Sequence, residues 1–283
     1  MLVLATISGV RARRRELFRQ SLRVALVPTM GALHEGHLAL VRRGRQEADE
    51  VWVSIFVNPT QFGPGEDFER YPRNLERDAQ LLREEGVSLL FAPTVKEMYP
   101  QEPQVVLDVP GLSGHLCGIH RPGHFQGVAL VVAKLFNIVQ PEVALFGAKD
   151  FQQATLIRRM VEELNFPVRI VVVPTVREKD GLAMSSRNAY LTPQEKRAAT
   201  ALSRALQATA EVARAGERRG KALETHILQC LRQEGSVRPQ YVAAVDPETL
   251  LPLELVQNRV LLAVAAFVGS TRLIDNLLVE VAP

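Results

Sequence analysis

The feature that constrains the fold most is the alternation of short apolar runs with helical patterns over the first 175 or so residues. The runs RVALVP at 23–28, VWVSIFV at 51–57 and VRIVVV at 168–173 have the length and nearly continuous apolar character of buried strands. Strands separated by helices pair in parallel through right-handed crossovers, and continuously apolar strands belong to a sheet covered on both faces. The alternation therefore predicts an α/β fold with a Rossmann-like, doubly wound parallel sheet.

The remaining elements of this region follow the same periodicities. Two further strands are predicted at 87–92 and 143–146, and helices are predicted at 36–48, 75–85, 128–139 and 151–164. Ligands of doubly wound sheets bind outside the carboxyl ends of the strands, so the loops that follow the strands are where chemistry is expected.

The chain changes character after the loop at 174–190. Thr192 and Pro193 have the form of a helix start with proline at the first helical position. Helices are predicted near 193–214 and 218–233, followed by strand-like runs at 241–245, 260–266 and 271–278. We expect two domains, residues 1–175 with the Rossmann-like sheet and residues 176–283 with a smaller α+β fold.

The cysteines and the N-terminal segment bear on the compartment. Cys117 and Cys230 form no CxxC or Cys/His cluster, so neither a disulfide framework nor a structural zinc site is indicated. The first basic residues follow a short apolar stretch, which is the wrong order for a secretory signal, and no segment approaches the roughly 20 apolar residues of a membrane span. We expect a cytoplasmic protein with no membrane partner.

The net charge of +3 comes from scattered basic residues. The densest basic run, Arg11 to Arg15, lacks interleaved aromatic residues and is predicted to be a solvated helix face, so no nucleic-acid partner is expected. The mild positive excess also suits an anionic small substrate such as a nucleotide.

The most informative segment follows the first predicted strand and reads PTMGALHEGH. It joins a strand's carboxyl end to a helix N-terminus, where backbone N–H groups and the helix dipole favour an anion. His34 and His37 can face the same way on the first helical turn, and Gly36 between them has no side chain to block an incoming group. Two imidazole donors there could hold a triphosphate. The spacing is one residue short of the zinc-binding HExxH motif.

Polar residues also follow the second of these strands. Asn58 and Gln61 can hydrogen-bond hydroxyl groups or a carboxylate without adding charge, or they belong to a polar Asn-Pro turn. Asp78 could meet a magnesium ion, but a solvated helix position is the stronger prediction.

Three later loops carry further polar groups. The loop GHFQG contains His124 and precedes a helix, and FGAKD offers Lys149 as a phosphate contact. Asp150 sits where either a ribose contact or a helix cap would lie, and the cap is favoured. The loop DGLAMSSRN places small and hydroxyl residues before Arg187, which suits phosphate oxygens or an interdomain linker.

Taken together and in this order, these segments resemble a known family. PTMGALHEGHL, FVNPTQF, FGPGEDFERYPR, GHFQGV, FGAKDFQQ and DGLAMSSRN resemble the motifs of the pantothenate synthetase (pantoate–β-alanine ligase) family, and VDPETLLPL and LLAVAAFVGSTRLIDN extend the likeness over nearly the whole chain. The family belongs to the HIGH-motif nucleotidyltransferases. The resemblance implies a homodimer of two-domain subunits. It also implies that pantoate and MgATP form pantoyl adenylate and pyrophosphate, and that β-alanine then gives pantothenate, a coenzyme A precursor, and AMP.

The resemblance also assigns catalytic and nucleotide-binding residues. The catalytic residues would be His34, His37 and Lys149, with His37 as the proton donor. The ATP site would comprise Met30, Gly31, Ala32, Leu33, His34, Glu35, Gly36, His37, Gly147, Ala148, Lys149, Asp150, Val176, Met184, Ser185, Ser186 and Arg187. ATP as co-substrate and Mg²⁺ are the implied cofactors.

The small-molecule substrates are assigned to a second group of residues. Gln61 and Gln153 would hold pantoate, Gln61 would also lie near β-alanine, and Asn58 and His124 are further candidates for this substrate site. Loops around residues 64 and 185 are the candidates for a lid over the adenylate.

All of these assignments require one spatial arrangement. His34, Gln61, Lys149 and Ser185 must share a cavity at one rim of the sheet.

Three alternative functions stay open at this point. The first is an adenylyltransferase that acts on a phosphorylated acceptor. Such an acceptor would require basic side chains, whereas the paired glutamines are uncharged. An RNA-binding protein on a synthetase-like core has only the pI near 9.0 in its favour, against an aromatic content of 6%. A catalytically inactive relative is the third.

Overall fold

The computed structural model describes residues 1–281. Its larger sheet has six parallel strands, which in chain order are β1 (Leu2–Leu4), β2 (Val24–Thr29), β3 (Glu50–Ile55), β4 (Leu89–Phe91), β5 (Val143–Gly147) and β6 (Arg169–Val173). They pair in the order β1-β4-β3-β2-β5-β6. The order reverses between β2 and β5, which confirms the predicted doubly wound sheet and marks the crevice where such sheets bind ligands.

The six helices with predicted bounds begin and end close to their predicted positions. Within the described part of the chain the helices are α1 (Ile7–Arg19), α2 (Glu35–Glu47), α3 (Leu75–Glu84), α4 (Val95–Met98), α5 (Pro110–Ser113), α6 (Cys117–His120), α7 (His124–Val139), α8 (Phe151–Glu163), α9 (Pro193–Arg214) and α10 (Gly220–Arg232). For four of them, α1, α4, α5 and α6, no bounds were predicted. At the start of α9, the Thr192 hydroxyl accepts from the Glu195 N–H and the Glu195 carboxylate accepts from the Thr192 N–H, with Pro193 at the first position. None of these helices is long and apolar enough to span a membrane.

Helices cover both faces of the six-stranded sheet. On β2, Ala25 and Val27 pack into the cluster formed with α2 and α3, whereas Val24 and Leu26 pack into the cluster formed with α1, α7 and α8. All four side chains have no exposed surface. Burial on both faces explains why the strand sequences are continuously apolar instead of alternating.

The C-terminal region is built on a second, antiparallel sheet. Its strands β7 (Val237–Val245), β8 (Arg259–Val268) and β9 (Thr271–Glu280) pair in chain order. One face packs against α9 and α10, and the other, through residues such as Val245 and Leu261, joins the core of the six-stranded region. The predicted smaller α+β unit is therefore present, and a domain boundary near residue 175 stays a prediction.

The N-terminal elements β1 and α1 differ from the sequence interpretation. β1 is only three residues long, which is too short to show a pattern, and α1 contains the basic run predicted to be solvated. Arg14 is an exception within that run, because it is only 4% exposed. Its guanidinium donates to the carbonyls of Gln140 (3.0 Å) and Leu22 (3.4 Å) and pairs with the Glu142 carboxylate. Arg14 thus ties α1 to the start of β5.

Replacing this one arginine should destabilise the protein. Arg14→Met leaves two carbonyls and the partly exposed Glu142 carboxylate without their donor, and we expect the free energy of unfolding to fall by about 2–3 kcal/mol. Arg15→Met, at the exposed neighbouring position, should change it by less than about 0.5 kcal/mol. Denaturant unfolding of both variants measures the difference, and equal effects would contradict the role given to Arg14.

Candidate active site

A cavity of about 220 Å³ opens at the carboxyl ends of β2, β3, β5 and β6, next to the point where the strand order reverses. Segments from distant parts of the chain line it. His34, Gln61, Lys149 and Ser185 all lie in its wall. The shared cavity that the sequence interpretation required is therefore confirmed.

The loop between β2 and α2 is anchored by Asp78 of α3. The carboxylate accepts the backbone N–H groups of Ala32 (2.8 Å) and Leu33 (2.9 Å), and the side chain is only 1% exposed. Gly31 has a φ of +80°, and a Cβ there would come within 3.1 Å of the Asp78 carboxylate and 3.0 Å of Ile55, so only glycine fits. The prediction that Asp78 is solvated is wrong, because its side chain is buried and its oxygens accept the N–H groups of the turn, which would otherwise need water. Asp78 does not line the cavity, which gives the suggested magnesium contact no support.

His34 and His37 face each other at the start of α2, with ring centroids 4.1 Å apart. The Gly36 N–H donates to His34 Nδ1 (3.2 Å), and the His34 N–H donates to His37 Nδ1 (3.4 Å). Since each Nδ1 accepts a backbone proton, the neutral rings carry their own proton on Nε2. A Cβ at Gly36 would lie 2.9 Å from the His34 ring, so the glycine makes room for His34 itself.

Both histidines are neutral at physiological pH. Burial, and then the charge of Lys149, lower the pKa of His34 to about 4. Burial lowers the pKa of His37 to about 3, with His34 and Lys149 adding to the effect. The two rings therefore offer neutral N–H donors, and Lys149 supplies the positive charge beside them.

Lys149 and Asp150 follow β5. The main-chain carbonyl of Lys149 accepts from the Asn276 side chain of β9 (2.8 Å), so the antiparallel sheet helps to hold this loop. Lys149 Nζ lies 4.0 Å from an Asp150 oxygen, and both side chains line the cavity. Asp150 occupies the N-cap position of α8, as predicted, but its side chain makes no capping hydrogen bond.

Asn58 supports the cavity from behind and does not face it. It is 1% exposed, its amide group donates to Gln61 Oε1 and to the Gly127 carbonyl (both 3.1 Å), and its oxygen accepts from the Tyr99 hydroxyl (3.0 Å). With these contacts made, the predicted substrate role of Asn58 is replaced by one of orienting Gln61. The Gln61 amide group, which does line the cavity, also donates to Met30 Sδ at 3.1 Å.

Arg121 and His124 converge on the main-chain carbonyl of Gln61. His124 Nδ1 lies 2.8 Å and Arg121 Nη2 lies 3.3 Å from that oxygen, and Arg121 Nη1 lies 3.0 Å from His124 Nε2. A neutral His124 that donates from Nδ1 and accepts at Nε2 satisfies all three contacts. Burial, and then the neighbouring Arg121 charge, lower the pKa of His124 to about 4. Glu66 forms a two-pronged ion pair with Arg121 at 2.7 and 2.6 Å.

The loop at 184–187 closes the other side of the cavity. The Ser186 hydroxyl donates to the Ala32 carbonyl (3.1 Å), which joins this loop to the histidine segment. Arg187 donates from Nε and Nη2 to the two oxygens of Asp67, both at 2.8 Å, and its guanidinium lies 5.8 Å from the Tyr71 ring centroid. Burial lowers the pKa of Arg187, but Asp67 outweighs it and raises the pKa above its usual value. The two loops named as lid candidates are thus joined by an ion pair, and their movement stays a prediction.

Other predicted residues lie in the wall with little obstruction. Within residues 1–281 the Gln153 side chain makes no hydrogen bond, which leaves both amide atoms available to a ligand. Gly147 has no atom within 4 Å of the place where a Cβ would stand. Val176 and Met184 also line the cavity and are joined by a backbone hydrogen bond of 3.0 Å.

Five residues assigned to the ATP site lie outside the cavity wall. They are Gly31, Ala32, Leu33, Glu35 and Ala148. The first three form the turn that Asp78 anchors, and Leu33 is a core residue at 1% exposure. The Glu35 carboxylate is paired with Arg42, and Ala148 lines a separate groove.

The sequence interpretation missed several side chains of the wall. Three of them are Arg121, Phe62 and Tyr71. Arg121 contacts Gln61 and His124, and the Tyr71 ring contacts both Phe62 and the Arg187 guanidinium. Arg121 lies three residues before His124 in the same loop, and Tyr71 lies in the YPR run, so proximity to motifs was the available signal. Within residues 1–281, no group of three or more His, Cys, Asp or Glu side chains is arranged to hold a metal ion.

Comparisons with known proteins agree with this geometry. The family model described as pantoate-β-alanine ligase matches residues 2–278. A pantothenate synthetase of Moorella thermoacetica is 54% identical over 281 residues, with 99% of each chain covered. The crystal structure of pantothenate synthetase from Thermus thermophilus is 51% identical and has a TM-score of 0.92, covering 98% of this chain and 99% of that one.

A third comparison concerns a complex. The pantoate-β-alanine ligase of Francisella tularensis, described as complexed with β-γ ATP and β-alanine, is 34% identical with a TM-score of 0.81, covering 98% of this chain and 97% of that one. A family match over nearly the whole chain, relatives above 50% identity and a cavity that unites the family's motifs lead to one conclusion. The chain belongs to the pantoate–β-alanine ligase family.

Proposed function

We propose that this protein joins pantoate to β-alanine in an ATP-dependent reaction that forms pantothenate through a pantoyl adenylate. The observation that carries the proposal is the single cavity in which His34, His37 and Lys149 accompany the uncharged amides of Gln61 and Gln153. The family match and the relative described with a β-γ ATP ligand and β-alanine support ATP and β-alanine as substrates.

In the first step, a carboxylate oxygen of pantoate attacks the α-phosphorus of ATP, and the bond to pyrophosphate breaks. Negative charge grows on the phosphate oxygens as this happens. The Nε2–H groups of His34 and His37 and the ammonium of Lys149 are donors held in place before the reaction, so they stabilise that charge without reorganising. Gln61 and Gln153 would hold pantoate by hydrogen bonds that add no further charge.

In the second step, the β-alanine nitrogen attacks the acyl carbon of the adenylate. A C–N bond forms, the C–O bond to phosphate breaks, AMP leaves with the electron pair, and the original ammonium group loses two protons to solvent.

Incubation with ATP, pantoate and β-alanine should therefore yield pantothenate and AMP in equal amounts. An ADP product, or no product, would refute the proposed reaction.

Mg²⁺ would reach this cavity with the nucleotide. Asp150 supplies the acidic side chain of the cavity wall within the described residues, and Asp78 is committed to backbone N–H groups. Because the cavity offers few oxygen ligands, Mg²⁺ would stay bound mainly to the phosphates and to water. There it would offset the charge of the phosphates.

We also propose a cytoplasmic homodimer. Val105, Val106 and Ile119 are between 62% and 69% exposed, and a second subunit could cover such residues. The two cysteines, Cys117 and Cys230, lie far apart in the sequence, a usage that fits a reducing compartment. Sedimentation of the purified protein measures the mass of the assembly.

Loss of a donor at the phosphates should slow adenylation specifically. We expect His37→Ala and Lys149→Ala each to cost the first step about 2–4 kcal/mol, because one preorganised contact to the developing charge is lost. Pantoate-dependent exchange of labelled pyrophosphate into ATP measures this step without β-alanine. Lys221→Ala, at an exposed helix position far along the chain, serves as the control and should exchange at the wild-type rate. Wild-type exchange in both site variants would show that the phosphates bind elsewhere.

The neutral state of the histidines predicts a pH effect on stability. In the unfolded chain a histidine titrates near pH 6.5, whereas the pKa values of His34 and His37 in the fold are about 4 and about 3. Between these values the unfolded chain binds more protons, so the free energy of unfolding should fall as the pH is lowered from about 6.5 towards 4. Its full value is present above pH 6.5.

A variant isolates this contribution. His37→Gln keeps a neutral polar group but cannot take up a proton, so the dependence between pH 6.5 and 4 should become shallower by up to about 1.4 kcal/mol per pH unit. Denaturant unfolding of both proteins across this interval gives the two slopes. Carboxylates with lowered pKa values, such as Asp67, and the buried His124 also contribute as the pH falls through this interval, but they are present in both proteins and cancel in the difference between the two slopes. Identical slopes would mean that His37 titrates normally.

A further inference from the structure

We propose that Arg121 binds the carboxylate of the amine substrate, and that this contact selects β-alanine over amines that lack an acid group. The inference rests on the proposed function and extends it to a residue that none of the family motifs assigned. The β-alanine carboxylate takes no part in bond formation, but it must leave water when the amine reaches the adenylate. A carboxylate in a partly buried site requires a cation or several donors as partners.

Three cationic side chains line the cavity within residues 1–281, namely Arg121, Lys149 and Arg187. Lys149 acts on both histidines, since its charge contributes to the lowered pKa of each. Arg187 belongs to the loop that Ser186 fastens to the histidine segment. These two cations therefore accompany the phosphates.

Arg121 stands apart from the phosphate contacts. Its guanidinium lies 3.3 Å from the carbonyl oxygen of Gln61, the residue expected to hold pantoate. The acyl carbon of the adenylate belongs to the pantoyl group, so the amine has to arrive beside Gln61. Lys149 also lines the smaller cavity next to Arg121, but of the three cations Arg121 is the one that contacts Gln61. Arg121 is thus placed to receive the far end of the arriving amino acid.

The ion pair with Glu66 shows that the Arg121 guanidinium can bind a carboxylate. Glu66 binds through two parallel contacts of 2.7 and 2.6 Å, the fork geometry typical of arginine and carboxylate. The Arg121 side chain is 13% exposed, so the pair is shielded from water. Glu66 lies outside the strands, on the loop that Asp67 joins to Arg187.

A donor is available even with Glu66 in place. Arginine has five N–H groups. Nε and one hydrogen of Nη2 point to Glu66, the other hydrogen of Nη2 points to Gln61, and one hydrogen of Nη1 points to His124. The second hydrogen of Nη1 has no acceptor within the described residues. A substrate carboxylate can take this hydrogen, or it can replace Glu66 and take both prongs.

There is also room for a small acid beside Arg121. A second cavity of about 50 Å³ adjoins the first, and Arg121, His124, Lys149, Asp150 and Gln153 line both. That volume holds about four water molecules, which matches a short amino acid better than a larger ligand.

The test compares two amines that differ only in the group Arg121 is proposed to bind. β-Alanine and 3-aminopropanamide carry the same reacting amine, but the second has an uncharged amide in place of the carboxylate. In Arg121→Met we expect kcat/KM for β-alanine to fall about 10–100-fold, the range for one charge-assisted pair. The value for 3-aminopropanamide should stay within about threefold of wild type. Pantoate-dependent pyrophosphate exchange in the same preparation reports any loss that comes from displacing Gln61, and it should fall much less than kcat/KM for β-alanine.

Two more variants complete the design. Arg121→Lys keeps the charge but loses the fork, so part of the preference for β-alanine should return. Glu66→Gln removes the competing charge and should lower the KM for β-alanine. Arg197→Met, at an exposed position on α9, is the control and should leave both amines unaffected.

The outcomes separate the possible roles. Equal losses with both amines, or a matching loss of pyrophosphate exchange, would show that Arg121 only positions Gln61 and would overturn the proposal. Unchanged use of β-alanine by Arg121→Met would overturn it as well. Failure of the proposed function would look different, because the wild-type protein would then show no pantoate-dependent exchange.

Discussion

The buried carboxylate of Asp78 is the interaction on which the site depends. A carboxylate at 1% exposure is costly unless hydrogen bonds replace its water, and here the N–H groups of Ala32 and Leu33 do so. These bonds hold the turn after β2 with both Gly31 and Ala32 at positive φ. The turn sets the first residue of α2, and with it the direction in which His34 and His37 point. Asp78 therefore controls the end of the cavity where His34 and His37 lie, although it is not part of the cavity wall.

The parallel sheet brings the rest of the site to this point. Because all six strands run the same way, the loops after β2, β3, β5 and β6 meet at one edge although they are far apart in the chain. The antiparallel sheet adds a contact from β9, where Asn276 holds the carbonyl of Lys149. The site is thus shared by both parts of the fold.

The sequence predicted the elements whose signals are local. Continuous apolar runs identified the buried strands, and Thr192 with Pro193 marked the start of α9. The short strand β1 and the polar helix α1 gave no such signal. The same division holds in the site. His34 and Lys149 stand in recognisable motifs, whereas the role of Asp78 depends on a partner 46 residues away in the chain, which spacing cannot reveal. Asn58 was recognised as polar, but only the fold shows that its amide group is already bonded to Gln61 and Gly127.

The charges of the cavity explain how such a site can exist before a substrate arrives. Two arginines in a partly buried wall would repel each other and lose hydration if they stood alone. Glu66 and Asp67, adjacent in one loop, pair with Arg121 and Arg187, which come from distant segments. Each pair balances a charge that the catalytic state would use for an anion. On the proposed roles, a triphosphate or a substrate carboxylate would compete with the acidic loop for the same guanidinium groups. Anion binding in the cavity would then be coupled to the position of this loop.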